Sequence, residues 1–310
     1  MKVLFVFRIH DNEIRNPIVY NQSESLIKSG IEVGFFPIRN GGLHYFKYFF
    51  KLKKYLKVNK YDLVHAHYGY TAILVGLANS GKTITSLMGS DIYRQHGITK
   101  FIIKLFSEHI WDKTIVKSIR MNQIINNSIV IANGVNLDLF KQEGKEESRL
   151  KVGFNKGYNI VFISVRPDEK VKNLKLAKQA IQLIGDENIH FHIISKIDNK
   201  KLSYYYSAAD VVLLTSVTEG SPNVIKEAMA CNCPIVSTNV GDVREVIGNT
   251  EGCYISGLDP VDVAEETKKA LEFSSTKGRT NGRQRIIEMG LDSESIAKRI
   301  VEVYKKVLYS

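Results

Sequence analysis

The chain is short of several things, and each shortage excludes something. Three cysteines occur in 310 residues: Cys231, Cys233 and Cys253. An odd number without framework spacing argues against a disulfide scaffold. Cys-x-Cys with no neighbouring His or second pair is a poor zinc site, so reduced, structural thiols of a cytosolic protein are expected. No run approaches the roughly 18 apolar residues that a spanning helix needs. Met1–Arg8 reads as too short for a signal segment and lacks a small-residue cleavage site. Acids are scarce in the first half, with 12 against 21 basic residues in 1–150, whereas 151–310 holds 20 against 22. The net charge of +11 therefore sits almost wholly in residues 1–150. A one-sided field of this kind suits an anionic partner, whether membrane surface, nucleic acid or phosphorylated substrate; a solvated basic surface is the alternative.

What is present is ordinary globular composition, 44% hydrophobic and 24% charged, long enough for two domains. Short, β-branched or aromatic runs alternate with longer amphipathic stretches. The candidate strands are 3–7, 32–36, 63–66, 83–87, 114–116 and 129–131, then 159–165, 189–194, 210–214, 234–237 and 252–255. Near-continuous hydrophobicity suits strands buried on both faces of a parallel sheet, and strand–helix alternation predicts an α/β fold. Lys141–Ser148 is polar and aperiodic, a linker pattern. This places domains at 1–150 and 151–292, each Rossmann-like, with 293–310 as a terminal helix on which Ile296, Ile300, Val303, Tyr304 and Val307 fall at helical spacing.

The most informative string runs from Glu219 to Ala230, EGSPNVIKEAMA. It follows a buried strand and opens a helix at Ser221-Pro222, with Pro222 in the first turn, where no N–H is needed. The free amides and partial positive charge of a helix start attract phosphate, and Gly220 permits close approach of a ligand to the backbone. Glu219 and Glu227 can accept hydrogen bonds from vicinal hydroxyls. Together these features suit a nucleotide sugar; a βα unit whose glutamates cap or solvate is the bland alternative.

This string resembles the signature of retaining glycosyltransferases of family 4. The resemblance implies the GT-B fold: two Rossmann-like domains with parallel sheets facing across a cleft and a C-terminal helix crossing back to the first. It implies that Glu219 holds the donor sugar hydroxyls and Glu227 the ribose, with Gly220, Ser221, Pro222, Asn223 and Val224 lining the sugar-phosphate site. After the first strand of the second half, Arg166 and Lys172 match the family's pair of cations on the donor diphosphate, with Lys170 as the rival lysine. Asn133-Gly134 matches the turn before the interdomain linker, and Gly241 a turn near the cleft. Tyr61–Tyr68 and Gly89-Ser90-Asp91-Ile92 match first-domain landmarks, making His67 and Asp91 acceptor-side candidates; a satisfied structural histidine is the alternative for His67. Two departures stand out. Met88 occupies a position where many members have a sugar-contacting His, and loop 8–17 contains no glycine where many have Gly-Gly.

By the resemblance the chain is a metal-independent hexosyl- or N-acetylhexosaminyl-transferase using a UDP- or GDP-linked donor. The sequence contains no Asp-x-Asp; the resemblance implies no metal and no cofactor beyond the donor, and a lipid-linked or polysaccharide acceptor of cell-surface glycan synthesis. A nucleotide-sugar epimerase and a non-catalytic nucleotide-sugar-binding subunit stay open. Residues 44–60 hold six lysines and no acid, interleaved with six aromatics. Tyr45, Phe49, Leu52 and Leu56 form an inward stripe at helical spacing. The rest suits an anionic bilayer interface; a plain surface helix is the alternative, and no nucleic-acid module is present. The expected location is cytoplasmic, peripheral on the inner face of the membrane.

Overall fold

The structure, a computed structural model, describes residues 1–9, 16–39, 44–79, 81–93 and 97–309. It divides into two compact units, Met1–Gly134 with Ser293–Ser310, and Val135–Asp292. Both begin as the apolar runs require: each run pairs in parallel with another and is covered by helices.

The first unit contains β1 (Lys2–Ile9), α1 (Pro17–Lys28), β2 (Glu32–Arg39), α2 (His44–Val58), β3 (Leu63–His67), α3 (Gly69–Ala78), β4 (Thr83–Ser86), α4 (Ser90–Tyr93), α5 (Ile98–His109), β5 (Lys113–Val116), α6 (Ile119–Asn122) and β6 (Ser128–Val130). Its sheet runs β2-β1-β3-β4-β5-β6. Leu4, Val6, Val64, Ala66, Val75, Leu87, Ile103 and Trp111 fill the core on one face of that sheet. Each such apolar side chain removed from water contributes roughly 1.5–3 kcal/mol.

The second unit contains α7 (Lys145–Val152), β7 (Tyr158–Ile163), α8 (Leu174–Ile184), β8 (Ile189–Ile194), α9 (Asn199–Ala208), β9 (Val211–Leu214), α10 (Asn223–Ala230), β10 (Ile235–Thr238), α11 (Val243–Ile247), β11 (Cys253–Ser256), α12 (Pro260–Thr276) and α13 (Gly282–Glu288). Its sheet runs β11-β10-β9-β7-β8. The chain then enters α14 (Ser293–Tyr309), which belongs to the first unit and packs on α1. There the Tyr304 hydroxyl and His65 Nδ1 lie 2.6 Å apart, and His65 Nε2 lies 2.8 Å from Ser86 Oγ.

The boundary differs from the one expected at residue 150. It falls at Gly134, because the polar stretch after it is committed to the second unit. Residues 145–152 form a helix against α9, and its Lys145 Nζ and Arg149 Nη2 reach the buried Asp210 carboxylate at 2.6 and 2.8 Å. Asp210 also accepts from the Asn159 amide at 2.6 Å and from Ser274 Oγ at 3.1 Å. A polar sequence can read as a linker and still be a helix when its charges neutralise a buried acid.

In both sheets the connectivity reverses beside the first strand, between β1 and β3 and between β7 and β9. The carboxyl ends of strands at such a switch point form the ordinary ligand crevice of an open α/β sheet.

Candidate active site

In the second unit, the two loops that splay from the switch point follow β7 and β9. The first carries Arg166 and a single 3₁₀ turn, Lys170–Lys172. The second carries Glu219. They are sewn together by Thr215 Oγ1, which donates to the carbonyls of Lys172 (3.2 Å) and Asn173 (3.0 Å), and by the Val217 amide, which donates to Val171 O at 2.8 Å. This stitching brings Lys172 Nζ to 2.6 Å from Glu219 Oε1. Ser216 Oγ donates to the same oxygen at 2.8 Å. Lys172 is thus the lysine that meets Glu219, while Lys170 stands exposed on the same turn. Arg166 does not join this pair: its Nη1 is 3.0 Å from Glu169 Oε1, and its side chain is half exposed.

Gly220, Ser221 and Pro222 lead from Glu219 into α10. Pro222 is the residue immediately before the helix, one position earlier than the spacing predicts. Asn223 and Val224, half-buried, form its first turn. The amides there have no intrahelical acceptor, so they present N–H groups and a partial positive charge. Gly241, after β10, closes against this loop with φ +57°; a Cβ there would lie 2.7 Å from Gly220 O, so only glycine fits.

Glu227 lies one turn into α10, half-buried, and accepts from the Tyr206 hydroxyl at 2.6 Å. Burial pushes its carboxyl above the usual range, against the opposing pull of the Tyr206 bond and the neighbouring Lys226 charge. Tyr206, on α9, is itself raised well above the ordinary phenol by burial and by Glu227.

Lys226, not among the residues singled out above, organises this end of the unit. Its side chain is 1% exposed; it donates to Ser221 Oγ and lies 3.6 Å from Asp242 Oδ2. Ser221 Oγ in turn donates to Asp242 Oδ2 at 2.6 Å. Lys226 therefore ties the loop after β9 to the loop after β10. The one signal in the letters was a lysine beside the apolar Ile225, Ala228 and Met229 of the same short helix.

In the first unit the switch point lies between β1 and β3. Loop 8–17 falls largely outside the described residues. His67 ends β3, fully buried, its ring centroid 4.4 Å from that of His65 and 4.7 Å from that of Phe5. Neither ring nitrogen has a hydrogen-bond partner among the described residues. Burial, with the His65 ring and the Lys117 charge, holds its pKa well below the usual value. The next residue, Tyr68, adopts φ +73°, a strained conformation for a bulky side chain.

Asp91 occupies a structural position. It is 4% exposed, and its carboxylate accepts from the amides of Gly69 (3.1 Å), Met88 (3.0 Å) and Gly89 (2.8 Å). It knits the exits of β3 and β4 together, and that work takes up its oxygens. Burial raises its pKa, partly offset by those amides. Met88 lies half-buried at the β4 exit.

Residues 195–272 match the family described as "Glycosyl transferases group 1", and residues 17–119 match "Glycosyl transferase 4-like". An uncharacterized glycosyltransferase of Methanocaldococcus jannaschii is 27% identical over 246 residues, 72% of this chain and 70% of that relative. The putative teichuronic acid biosynthesis glycosyltransferase TuaC of Bacillus subtilis is 25% identical over 233 residues, 66% of this chain and 60% of its own length. Among solved structures, HepE of Anabaena in complex with UDP-glucose superimposes with a TM-score of 0.78 at 15% identity, covering 99% of this chain and all of that one.

Proposed function

The chain belongs to the group 1 and group 4-like glycosyltransferases of GT-B fold, and from that we propose that it moves a hexosyl or N-acetylhexosaminyl residue, with retention, from a nucleoside diphosphate sugar to a lipid-linked or polysaccharide acceptor. The observation that carries this reading is the Lys172–Glu219 pair, 2.6 Å apart at the switch point and beside the amino end of α10. A cation and a hydroxyl-binding carboxylate meet where a helix start offers amides to phosphate.

In this reading the second unit holds the donor. Glu219 orients the sugar hydroxyls, with Gly220–Val224 along the sugar-phosphate. Lys172 and Arg166, once Arg166 leaves Glu169, stabilise the diphosphate as its negative charge grows. Fixed charge aimed at charge that develops in the transition state is the most effective form of such stabilisation. Lys170 stays a second diphosphate contact, and Glu227 takes the ribose. The donor proposal is supported by the nucleotide sugar in HepE, and the glycan acceptor by the teichuronic acid role named for TuaC.

The first unit takes the acceptor. Of its two candidates, His67 fits better: it has unspent hydrogen-bonding capacity, and Asp91 has none. We also propose that α2 rests on an anionic bilayer at the cytoplasmic face. Phe46 and Phe50 on that helix are 70% and 55% exposed, and Lys47, Lys51 and Lys54 are exposed beside them. Among the described residues no helix is long and apolar enough to cross a membrane.

The test is incubation with a panel of UDP- and GDP-sugars, with and without glycolipid extract, reading released nucleotide and the anomeric configuration of the product by NMR. Transfer that survives Glu219→Ala, Lys172→Ala and Glu227→Ala unchanged would overturn the site. Met88, where a sugar-contacting His is the commoner family choice, favours one second reading, a donor-binding subunit without turnover. Calorimetric donor binding with no transfer to any extract would select it.

A further inference from the structure

The first unit has a second basic feature, at the opposite end of its sheet from His67. A cavity of about 400 Å³ opens where β3 and β4 begin, lined by Lys53, Lys57, Lys60 and Lys82 together with Leu56 and Leu77. These amino ends lie about 16 Å from the carboxyl ends along a five-residue strand. The pocket is therefore separate from the acceptor residues proposed above.

Its charges are unbalanced. Lys82 is paired, 3.1 Å from Asp112. The single acid in the lining, Asp62, accepts from the Lys2 backbone amide at 2.6 Å. Lys53 lies over the Phe49 ring at 5.7 Å. Lys57 and Lys60 have no ion-pair partner among the described residues. Lys53 and Lys57 stand at i and i+4 on α2, where like charges repel. A fold that holds these cations around a cavity leaves a repulsion that a bound anion relieves. Beside the lysines the lining carries apolar side chains, Leu56 and Leu77, and Leu77 is 62% exposed. A phosphate with an attached apolar chain matches both halves of this surface.

We propose that this pocket binds the phosphate of an anionic lipid headgroup, at a site distinct from both donor and acceptor. It rests on the reading of α2 as a bilayer-facing helix and adds to it a defined phosphate site, which needs neither donor nor turnover and which pyrophosphate probes without any bilayer.

The test uses the full chain. Sodium pyrophosphate is titrated into isotope-labelled protein while the amide signals of Asn79 and Gly81, in the pocket lining, and of Gly220 and Gly241, on the donor side, are followed. In parallel, binding to phosphatidylcholine vesicles with and without 30% phosphatidylglycerol is read by flotation. The Asn79 and Gly81 signals should shift. Lys57→Gln/Lys60→Gln should weaken both pyrophosphate-induced shifts and phosphatidylglycerol-dependent flotation about tenfold or more. The charge-matched control Lys175→Gln/Lys178→Gln, on exposed positions of α8, should change neither by more than about twofold. Silent Asn79 and Gly81 signals, or an equal loss in the control, would overturn the site. Shifted signals with flotation unaltered in the pocket variant would overturn the lipid assignment in favour of a soluble phosphate.

Discussion

Glu219 receives Lys172 and Ser216 on one and the same oxygen, Oε1, so the carboxylate is aimed as well as neutralised. Glu219→Gln keeps the shape and removes the charge. It should lower kcat by about a hundredfold or more, as loss of one transition-state contact does, while the melting temperature stays nearly constant; steady-state kinetics and calorimetry check both. Glu227 gives a pH signature. Its carboxyl is raised by burial, and ribose hydroxyls are best accepted by the ionised form. Donor kcat/KM should therefore climb as pH rises through a value above the ordinary glutamate pKa of about 4.3, and Glu227→Gln should abolish that limb of the profile. Lys226→Met strips the partner from the largely buried Asp242. A cost of about 3 kcal/mol, read by urea unfolding, should come with a raised donor KM, since the loops after β9 and β10 are then no longer tied. The placement of the two glutamates, one in the loop after β9 and one inside α10, was legible because their string is long and its residue types are chemically demanding. Lys226 was not, because a lysine's letter says nothing of whether its ammonium ends in water or against an aspartate. The partners of Asp91 were hidden for the same reason: a carboxylate at a strand exit shows nothing of the amides of Gly69, Met88 and Gly89 that donate to it.

Elements were more legible than residues. The strands announce themselves through unbroken β-branched and aromatic runs, and every candidate segment overlaps an observed strand. Their order, the switch points and the helix α7 depend on contacts far apart in sequence, which no local pattern carries. The polar stretch before β7 shows the limit: Lys145 and Arg149 make sense only beside Asp210. Asp210→Ala should remove the buried anion, leave Lys145 without its counter-charge and Arg149 with only the exposed Glu146, and cost about 3 kcal/mol. Denaturant titration of the chain would read this as early loss of the second unit. At the other join, Tyr304→Phe removes the hydroxyl facing His65 Nδ1 and should cost about 1–3 kcal/mol. His65 adds a pH dependence of its own. Burial and the Lys117 charge lower its pKa from 6.5 to about 3. The unfolded chain therefore takes up a proton that the folded chain refuses, and stability falls as pH drops from about 6.5 toward 3. His67, lowered in the same sense, adds to this slope, so His65→Asn should make that part of a Tm-against-pH curve shallower without abolishing it, even though it lowers Tm at pH 7.

Over the whole molecule, charge divides along the structural boundary more sharply than along the sequence midpoint. The first unit holds 22 basic and 10 acidic residues, a net +12, and the second 21 and 22, a net −1. Binding to phosphatidylglycerol vesicles should accordingly weaken steeply between about 0.05 and 0.5 M salt, as the Debye length shrinks, whereas affinity for donor, gripped at close range by placed cations, should change far less. Phe46→Ser/Phe50→Ser should reduce vesicle binding at every salt concentration. The first unit is also assembled from both ends of the chain, with residues 135–292 lying between its sheet and the helix that closes it. During synthesis its six strands emerge first, yet Tyr304 and the apolar face of α14 emerge only after all of residues 135–292. All of the second unit is therefore made before the helix that the first unit still needs. The usual order, in which the N-terminal domain matures first, is not open to this chain, and a chain cut back to residue 292 would keep the whole second unit and leave the first without the helix that packs on α1.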